Sequence, residues 1–361
     1  MAAGRAELVL VTSVPLRAAA RQVGSAGGAG PAGDGARPGR LARRAAIRRV
    51  LAQRCVQAVS VTVLVSTACF AVVQTLPGDV AMRIAAGRYG YDGVTAATAD
   101  AVRAELGLDA PAWQQLLRWW ADLLRLDLGT SLVTGRDVGA ELALPVASSL
   151  QLAAVALLLA VVVGGAVGTA AARRPGGLLD RLTTVWVAGA RALPPFLLGL
   201  LLIVVFSVHL GWLPAVGHGS ASSVVLPAAT LAVGLSGLFA RVTRDTVAQI
   251  GGSAFVAFAE TKGLRRRAVL VRHVLRNAGL TLVAYLGVQA VLLVEGVVVV
   301  ESLFAWPGLG HALVHAIFWR DVPVLQAAAV ALALLVVLVN TVVDLAGLAL
   351  DPRPRRREVV P

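Results

Sequence analysis

Few residues of this chain have the type and spacing to do chemistry, and those few do not converge on a reaction. No H-E-x-x-H pair, G-x-S-x-G elbow or G-x-x-x-x-G-K-[ST] phosphate loop occurs. Metal-assisted hydrolysis, a serine nucleophile and nucleotide binding on those templates are thereby set aside. His273 has no histidine, cysteine or carboxylate three or four residues away, so its surroundings favour an orienting or interface role over metal ligation. Arg191 and Glu295 stand inside apolar runs, where a charge is costly and marks a path for a charged solute unless it snorkels or pairs. Arg191 would attract a carboxylate and Glu295 an amine, and with Pro194 they are the candidate path residues. Their estimated depths differ by about 10 Å, which argues against a direct pair. A second group comprises Glu301, Trp306, Pro307, Gly308, Gly310 and Asp321. The Pro-Gly step implies a tight turn, beside which both carboxylates are expected to stay hydrated. The expectation is a non-enzyme that holds no metal and no cofactor of its own.

The elements that must position these residues are legible in the composition. Of 361 residues, 57% are hydrophobic and 15% charged, against about 45–50% and about 25% in a soluble domain. Runs long enough to cross about 30 Å of hydrocarbon as helix fall near 52–75, 147–171, 182–209, 226–247, 279–303 and 324–348. The fold class is therefore all-α and membrane-embedded, with six spans. The first run is longer than a signal-peptide core and lacks a small-residue cleavage site, so it reads as a retained anchor. Cys55 and Cys69 are about 21 Å apart along that helix and do not bridge there.

The net charge of +13 would point to nucleic acid in a soluble protein, but here its placement answers the question. With residue 1 cytoplasmic, 25 of the 33 Lys and Arg lie in 1–54, 172–181, 241–277 and 351–361, while 76–146 holds six and 304–322 one. That asymmetry follows the positive-inside rule and makes a nucleic-acid partner unnecessary. Residues 1–45, rich in Ala, Gly and Arg, are expected to be a disordered cytoplasmic tail. In 46–146, the anchor is followed by an extracytoplasmic segment where Trp113, Leu116, Leu117, Trp120 and Leu124 recur at helical spacing. A small subdomain lying against the membrane surface is expected there. The main transmembrane unit is 147–350, and 351–361 forms a basic cytoplasmic end.

The most patterned connector is about 248–278. A short helix ending at Gly263 is expected because glycine accepts the left-handed conformation that caps a helix. Phe255, Phe258 and Ala259 would share its face, and a second helix from about Leu264 would lead into the fifth span. Taken alone, this segment reads equally as a basic stretch that merely fixes topology.

These residues resemble a known family. Ala259, Lys262, Gly263, Leu264, then Arg272, His273, Leu275, Arg276, Asn277 and Ala278, match the coupling loop of binding-protein-dependent ABC importer permeases of the dipeptide/oligopeptide/nickel branch. Thr75-Leu-Pro-Gly-Asp79, Asp127-Leu-Gly129, Leu210-Gly-Trp-Leu-Pro214, Trp306-Pro-Gly-Leu-Gly310, Arg320-Asp-Val-Pro323 and Asp351-Pro-Arg353 extend the likeness over about 46–357. Glu260 and Thr261 replace the family's Arg and Ala. The resemblance implies a type I permease fold in the bacterial plasma membrane, both termini cytoplasmic. It assigns Phe255, Phe258, Ala259, Glu260, Lys262, Gly263 and Leu264 to coupling with ATPase subunits. Glu301, Trp306, Pro307, Gly308, Gly310 and Asp321 would form the outer turn on the binding-protein side. Implied partners are a homologous second permease, two cytoplasmic ATPases that bind ATP and Mg, an external solute-binding protein and membrane lipid. The implied solute is a di- or oligopeptide, with nickel or another small solute as the alternative. An ion-coupled secondary transporter is the rival from another class.

Overall fold

The computed structural model describes residues 40–350, apart from 108–110 and 126. The expected basic C-terminus and nearly all of the expected N-terminal tail lie outside the described residues. The first helix, however, already begins at Arg40, inside the stretch expected to be disordered. Among the described residues there is no β-strand, only an antiparallel bridge between Thr130 and Asp137.

Helix α1 (Arg40–Thr75) is followed by α2 (Val80–Tyr89), α3 (Ala96–Leu106) and α4 (Ala112–Leu124). Local chemistry sets these boundaries. Asp79 caps α2 by accepting from the N–H groups of Ala81 and Met82, and Thr95 with Thr98 closes a capping box on α3. Gly107, at φ 59°, ends α3 in the left-handed conformation. Ala81, Ile84 and Ala85 of α2 bury against Ala99 and Val102 of α3, which gives this segment its own small core.

The larger unit contains α5 (Val138–Ala172), α6 (Leu178–Ala192), α7 (Pro195–Leu202, extended by π-helical turns to His209) and α8 (Val225–Gly251). Then come α9 (Ala254–Thr261), α10 (Arg266–Val269), α11 (Arg276–Leu303), α12 (Leu309–Trp319) and α13 (Val322–Leu350). π-helical turns over Leu270–Leu275 join α10 to α11, so one helical path runs from Arg266 to Leu303. It starts two residues after the expected Leu264.

Packing within this unit relies on small residues. Ala156, Ala160, Gly164 and Gly168 recur every four positions and line one face of α5. A Cβ on Gly164 would lie 2.5 Å from the carbonyl oxygen of Ser236, and one on Gly168 would strike that of Ala240, so α5 and α8 meet backbone to backbone. Close approach through small residues is how helices gain contact where lipid supplies no hydrophobic drive. Leu152, Leu226, Leu231, Leu293, Val297 and Phe304 continue this core between α5, α8 and α11.

Among the described residues five helices are long and apolar enough to span a membrane, and the sixth expected span is broken. Helices α6 and α7 meet at an angle of 104° rather than forming the single helix expected over 182–209. The cause is Leu193-Pro194-Pro195. A residue before proline is driven to extended backbone, as Leu193 is at φ −92°, ψ 118°, and neither proline can donate the bond that would continue α6. Hydropathy registers the apolar run but not this change of direction.

Candidate functional site

Two candidate sites occupy opposite kinds of surroundings. The first is the turn between α11 and α12. Glu301 is fully buried at 0% exposure, which overturns the expectation of a hydrated carboxylate. Its Oε1 accepts from Ser149 Oγ at 2.5 Å and its Oε2 from the Gly310 N–H at 2.7 Å. Ser149 Oγ in turn accepts from the Leu309 N–H at 2.8 Å. Trp306 is buried, with Nε1–H donating to the Ser148 carbonyl at 3.1 Å, and the Gly308 N–H reaches back to Trp306 O at 2.7 Å. A tight turn is therefore present, but Glu301, Trp306, Gly308 and Gly310 are buried and only Pro307 is part-exposed. A Cβ on Gly308 would collide with the Glu301 carboxylate, and one on Gly310 would come 2.5 Å from Val298 Cα. These glycines are required for space, because the carboxylate fills the volume a side chain would take.

Asp321 is also buried rather than hydrated. Ser131 Oγ donates to its Oδ2 at 2.5 Å and the Leu132 N–H to its Oδ1 at 3.1 Å. Beside it Arg320, left-handed at φ 57°, donates to the carbonyls of Pro77 and Gly78. Together they tie the start of α13 to the chain leaving α1 and to the 131–133 loop. Sequence reasoning placed Arg320 in a motif without a role, and missed Ser149. A Ser148-Ser149 pair inside an apolar helix was the available signal.

The second site is α9. It ends in a Schellman motif: the Gly263 N–H donates to Glu260 O at 2.9 Å and the Leu264 N–H to Ala259 O at 3.4 Å, with Gly263 at φ 80°. Val256 and Ala259 bury against Val247, Val269, Val274 and Ala278. Ala259 therefore belongs to the buried face, not to the exposed one expected for it. Phe255, Phe258 and Leu264 remain exposed. Lys262 Nζ lies 4.6 Å from the Phe258 ring centroid, a cation–π contact that holds the ring on the outer face. Glu260 is exposed, with only a 3.9 Å approach to Arg266.

The candidate path residues do not come together. Arg191 is exposed in the last turn of α6, immediately before the break at Pro194, in the neighbourhood of Tyr285 of α11. Glu295 is ten residues further along α11, about 15 Å at helical rise. It stands in an uncovered stripe with Val288, Val291, Leu292 and Val299. Neither residue has an ion-pair partner among the described residues. A separate cleft of about 390 Å³ between α5 and α12 is lined by Glu141, Pro145, His311, His315 and Trp319. Burial, and then the charge of His315, push His311 below the ordinary histidine range. No group of three metal-ligating side chains occurs among the described residues.

Residues 161–356 match the family model for the inner membrane component of binding-protein-dependent transport systems, which takes in α9 and the buried turn. Residues 47–138 match the model for the N-terminal membrane component of such systems. The glutathione transport system permease protein GsiC of Pectobacterium atrosepticum is 38% identical over 286 residues, covering 79% of this chain and 92% of the relative. The GsiC proteins of Salmonella paratyphi A and Escherichia coli K12 are 38% and 37% identical over 292 residues, covering 81% of this chain and 94% of each relative.

Proposed function

The chain belongs to the family of inner membrane components of binding-protein-dependent transport systems, and from that premise we propose that it is the permease subunit of an ATP-driven importer for a small peptide. The observation that carries the mechanism is α9, a short helix packed on one face and exposing Phe255 and Phe258 on the other. That geometry suits a lever: the buried face fastens it to α8 and to the helical path entering α11, while the aromatic face is free to enter a groove on an ATPase. Closure of two such ATPases on ATP and Mg would move α9 as a unit and shift the spans between discrete packings. The chain itself would bind neither ATP nor Mg.

Access would alternate along an interface with a second, homologous permease, with ATP binding favouring one orientation. The uncovered stripe of α11 bearing Glu295, and Arg191 at the α6–α7 break, would line it. A zwitterionic peptide offers the carboxylate and amine that these two charges complement. Glutathione, the solute in the relatives' names, is a peptide of this size, which supports the class but leaves other di- and oligopeptides within it. Arginine placement supports cytoplasmic termini, with α9 on the ATPase side and α2–α4 facing an external binding protein.

Purification of the tagged chain from native membranes in mild detergent, followed by mass spectrometry, tests the assembly. Recovery of a sister permease and two ATPases, with ATP hydrolysis lost in Gly263→Pro, is the expected result. Recovery of the chain alone, with uptake driven by an ion gradient, overturns it. Uptake of labelled glutathione, dipeptides and nickel by the reconstituted complex then separates the solutes. If Arg191→Ala and Glu295→Ala leave uptake and solute preference unchanged at normal expression, neither residue lines the path.

A further inference from the structure

Helix α4 has an apolar face that nothing else in the described chain covers. At about 100° per residue, Trp113, Leu117 and Leu124 fall within about 40° of one another on its circumference, with the part-buried Trp120 at the edge of this stripe, its Nε1 covered. Trp113 is 62% exposed, Leu117 51% and Leu124 87%. Among the described residues no other helix packs extensively along α4. Its opposite side faces the rest of the chain across a cleft that Gln115 and Trp119 line together with Phe70, Val73, Val322 and Gln326. Those neighbours set its level. Phe70 and Val73 belong to the last turns of α1, which stops at Thr75, and Val322 and Gln326 to the first turns of α13. Helix α4 therefore lies where two apolar spans begin and end, at the boundary between hydrocarbon and headgroups.

Between the apolar stripe and the protein-facing side lies a polar flank of Gln114, Arg118 and Arg125, about 90–130° around the helix from the stripe's centre. Both arginines are exposed, and Arg125 makes only a 3.8 Å approach to Asp122. A stripe of Trp and Leu flanked by Arg, on a 13-residue helix at the level of span ends, has the pattern of a helix lying in a bilayer surface. Amphipathic rings such as that of Trp113 collect at the level of span ends. Leu64 and Val72 on α1 are likewise exposed apolar residues.

We propose that α4 is an interfacial anchor: Trp113, Leu117 and Leu124 enter the headgroup–acyl boundary of the leaflet at this end of the molecule, and Arg118 meets lipid phosphate. The anchor fastens the α2–α3 segment to the membrane independently of which solute is carried. It rests on the membrane-spanning family assignment and on neither ATPase coupling nor peptide transport.

The test is the depth of spin labels on the full-length chain in liposomes of phosphatidylethanolamine and phosphatidylglycerol. With Cys55 and Cys69 replaced by serine, labels are placed singly through Trp113→Cys, Leu117→Cys, Leu124→Cys and Arg118→Cys. Collision with oxygen and with a water-soluble nickel chelate is then measured. The three stripe labels are expected to be reached by oxygen and shielded from the chelate, at about 5–10 Å below the phosphates. Label 118 is expected to be at least several-fold more open to the chelate. Equal chelate access at all four positions overturns the proposal by placing the stripe in water. Open stripe labels that become shielded from both reagents only when the external binding protein is added also overturn it, in favour of a protein partner. Both readouts come from the isolated chain and that one addition, so they stand whether or not the ATPase proposal survives.

Discussion

The turn around Glu301 and the short helix α9 solve opposite problems with similar numbers of residues. At the turn, every hydrogen-bonding oxygen of the Glu301 carboxylate has a donor inside the chain, and the apolar neighbours Trp306 and Leu309 are buried. At α9 the polar groups are in solvent, and two phenylalanines are left without cover. A buried carboxylate is tolerable only when its bonds are supplied internally, so the turn is complete as it stands. Exposed aromatic area is stabilised by being covered, so under the proposed function α9 is finished by a partner outside the chain. The first kind of region should respond to substitution through folding and the second through partnership.

The sharpest way to break this contrast is Glu301→Ala. It strands the Ser149 hydroxyl and the Gly310 N–H in a dry interior, each at about 1–3 kcal/mol, and opens a cavity besides. Expected is loss of monodisperse protein on size-exclusion chromatography in detergent; a well-folded Glu301→Ala would mean the carboxylate is not the keystone of the turn. Next is Gly308→Ala, where the added methyl strikes the carboxylate and forces a shift costing about 1–3 kcal/mol. It should lower the thermal midpoint by several degrees, while Gly263→Ala, with open space around it, should cost only the strain of a positive φ, about 1 kcal/mol. Equal losses at the two glycines would erase the distinction between space and conformation.

At α9 the double variant Phe255→Ala, Phe258→Ala is expected to leave the melting curve within about 0.5 kcal/mol of wild type. ATP hydrolysis by the reconstituted complex should fall about tenfold, equivalent to about 1.4 kcal/mol of coupling. A parallel loss of stability would show that these rings are core after all.

The smallest effect concerns Asp79, in a third region. Burial pushes its carboxyl up, but the N–H groups of Ala81 and Met82 and the Arg103 guanidinium outweigh it and hold the group below the ordinary range. A lowered folded-state value means the stabilisation is present above the unfolded value, about 3.9, and fades as pH falls through the folded one. Asp79→Ala should therefore cost about 1 kcal/mol at pH 7 and nothing further at the acid limit, read by amide hydrogen exchange in α2. Because the carboxylate is part-exposed, screening keeps its Arg103 pair a minor share.

Much of the fold was readable beforehand because its signals are local. Apolar run length marked the spans, and Gly263 marked the end of α9. The family resemblance carried by the 259–278 residues agrees with the family match. What went astray was anything dependent on direction or depth. The 182–209 run contains its own breaker in Pro194-Pro195, yet hydropathy averaged across it. Ala259 has the same spacing whether it faces in or out. Glu301 and Asp321 were taken for surface groups because a carboxylate's usual place is water, and only Ser149 and Ser131, each well over a hundred residues away in sequence, reverse that expectation.

By itself the sequence determined that this chain is a helical membrane protein, where its apolar runs lie and where its short helix must turn. Those follow from hydrophobic length, charge placement and backbone sterics, which act over a few residues. Only the tertiary structure decided that the third run bends by 104°, that two carboxylates are locked into the core, and that the exposed stripes of α4, α9 and α11 have no cover among the described residues. Those outcomes depend on which distant groups meet, and burial is a property of the pair and not of either residue.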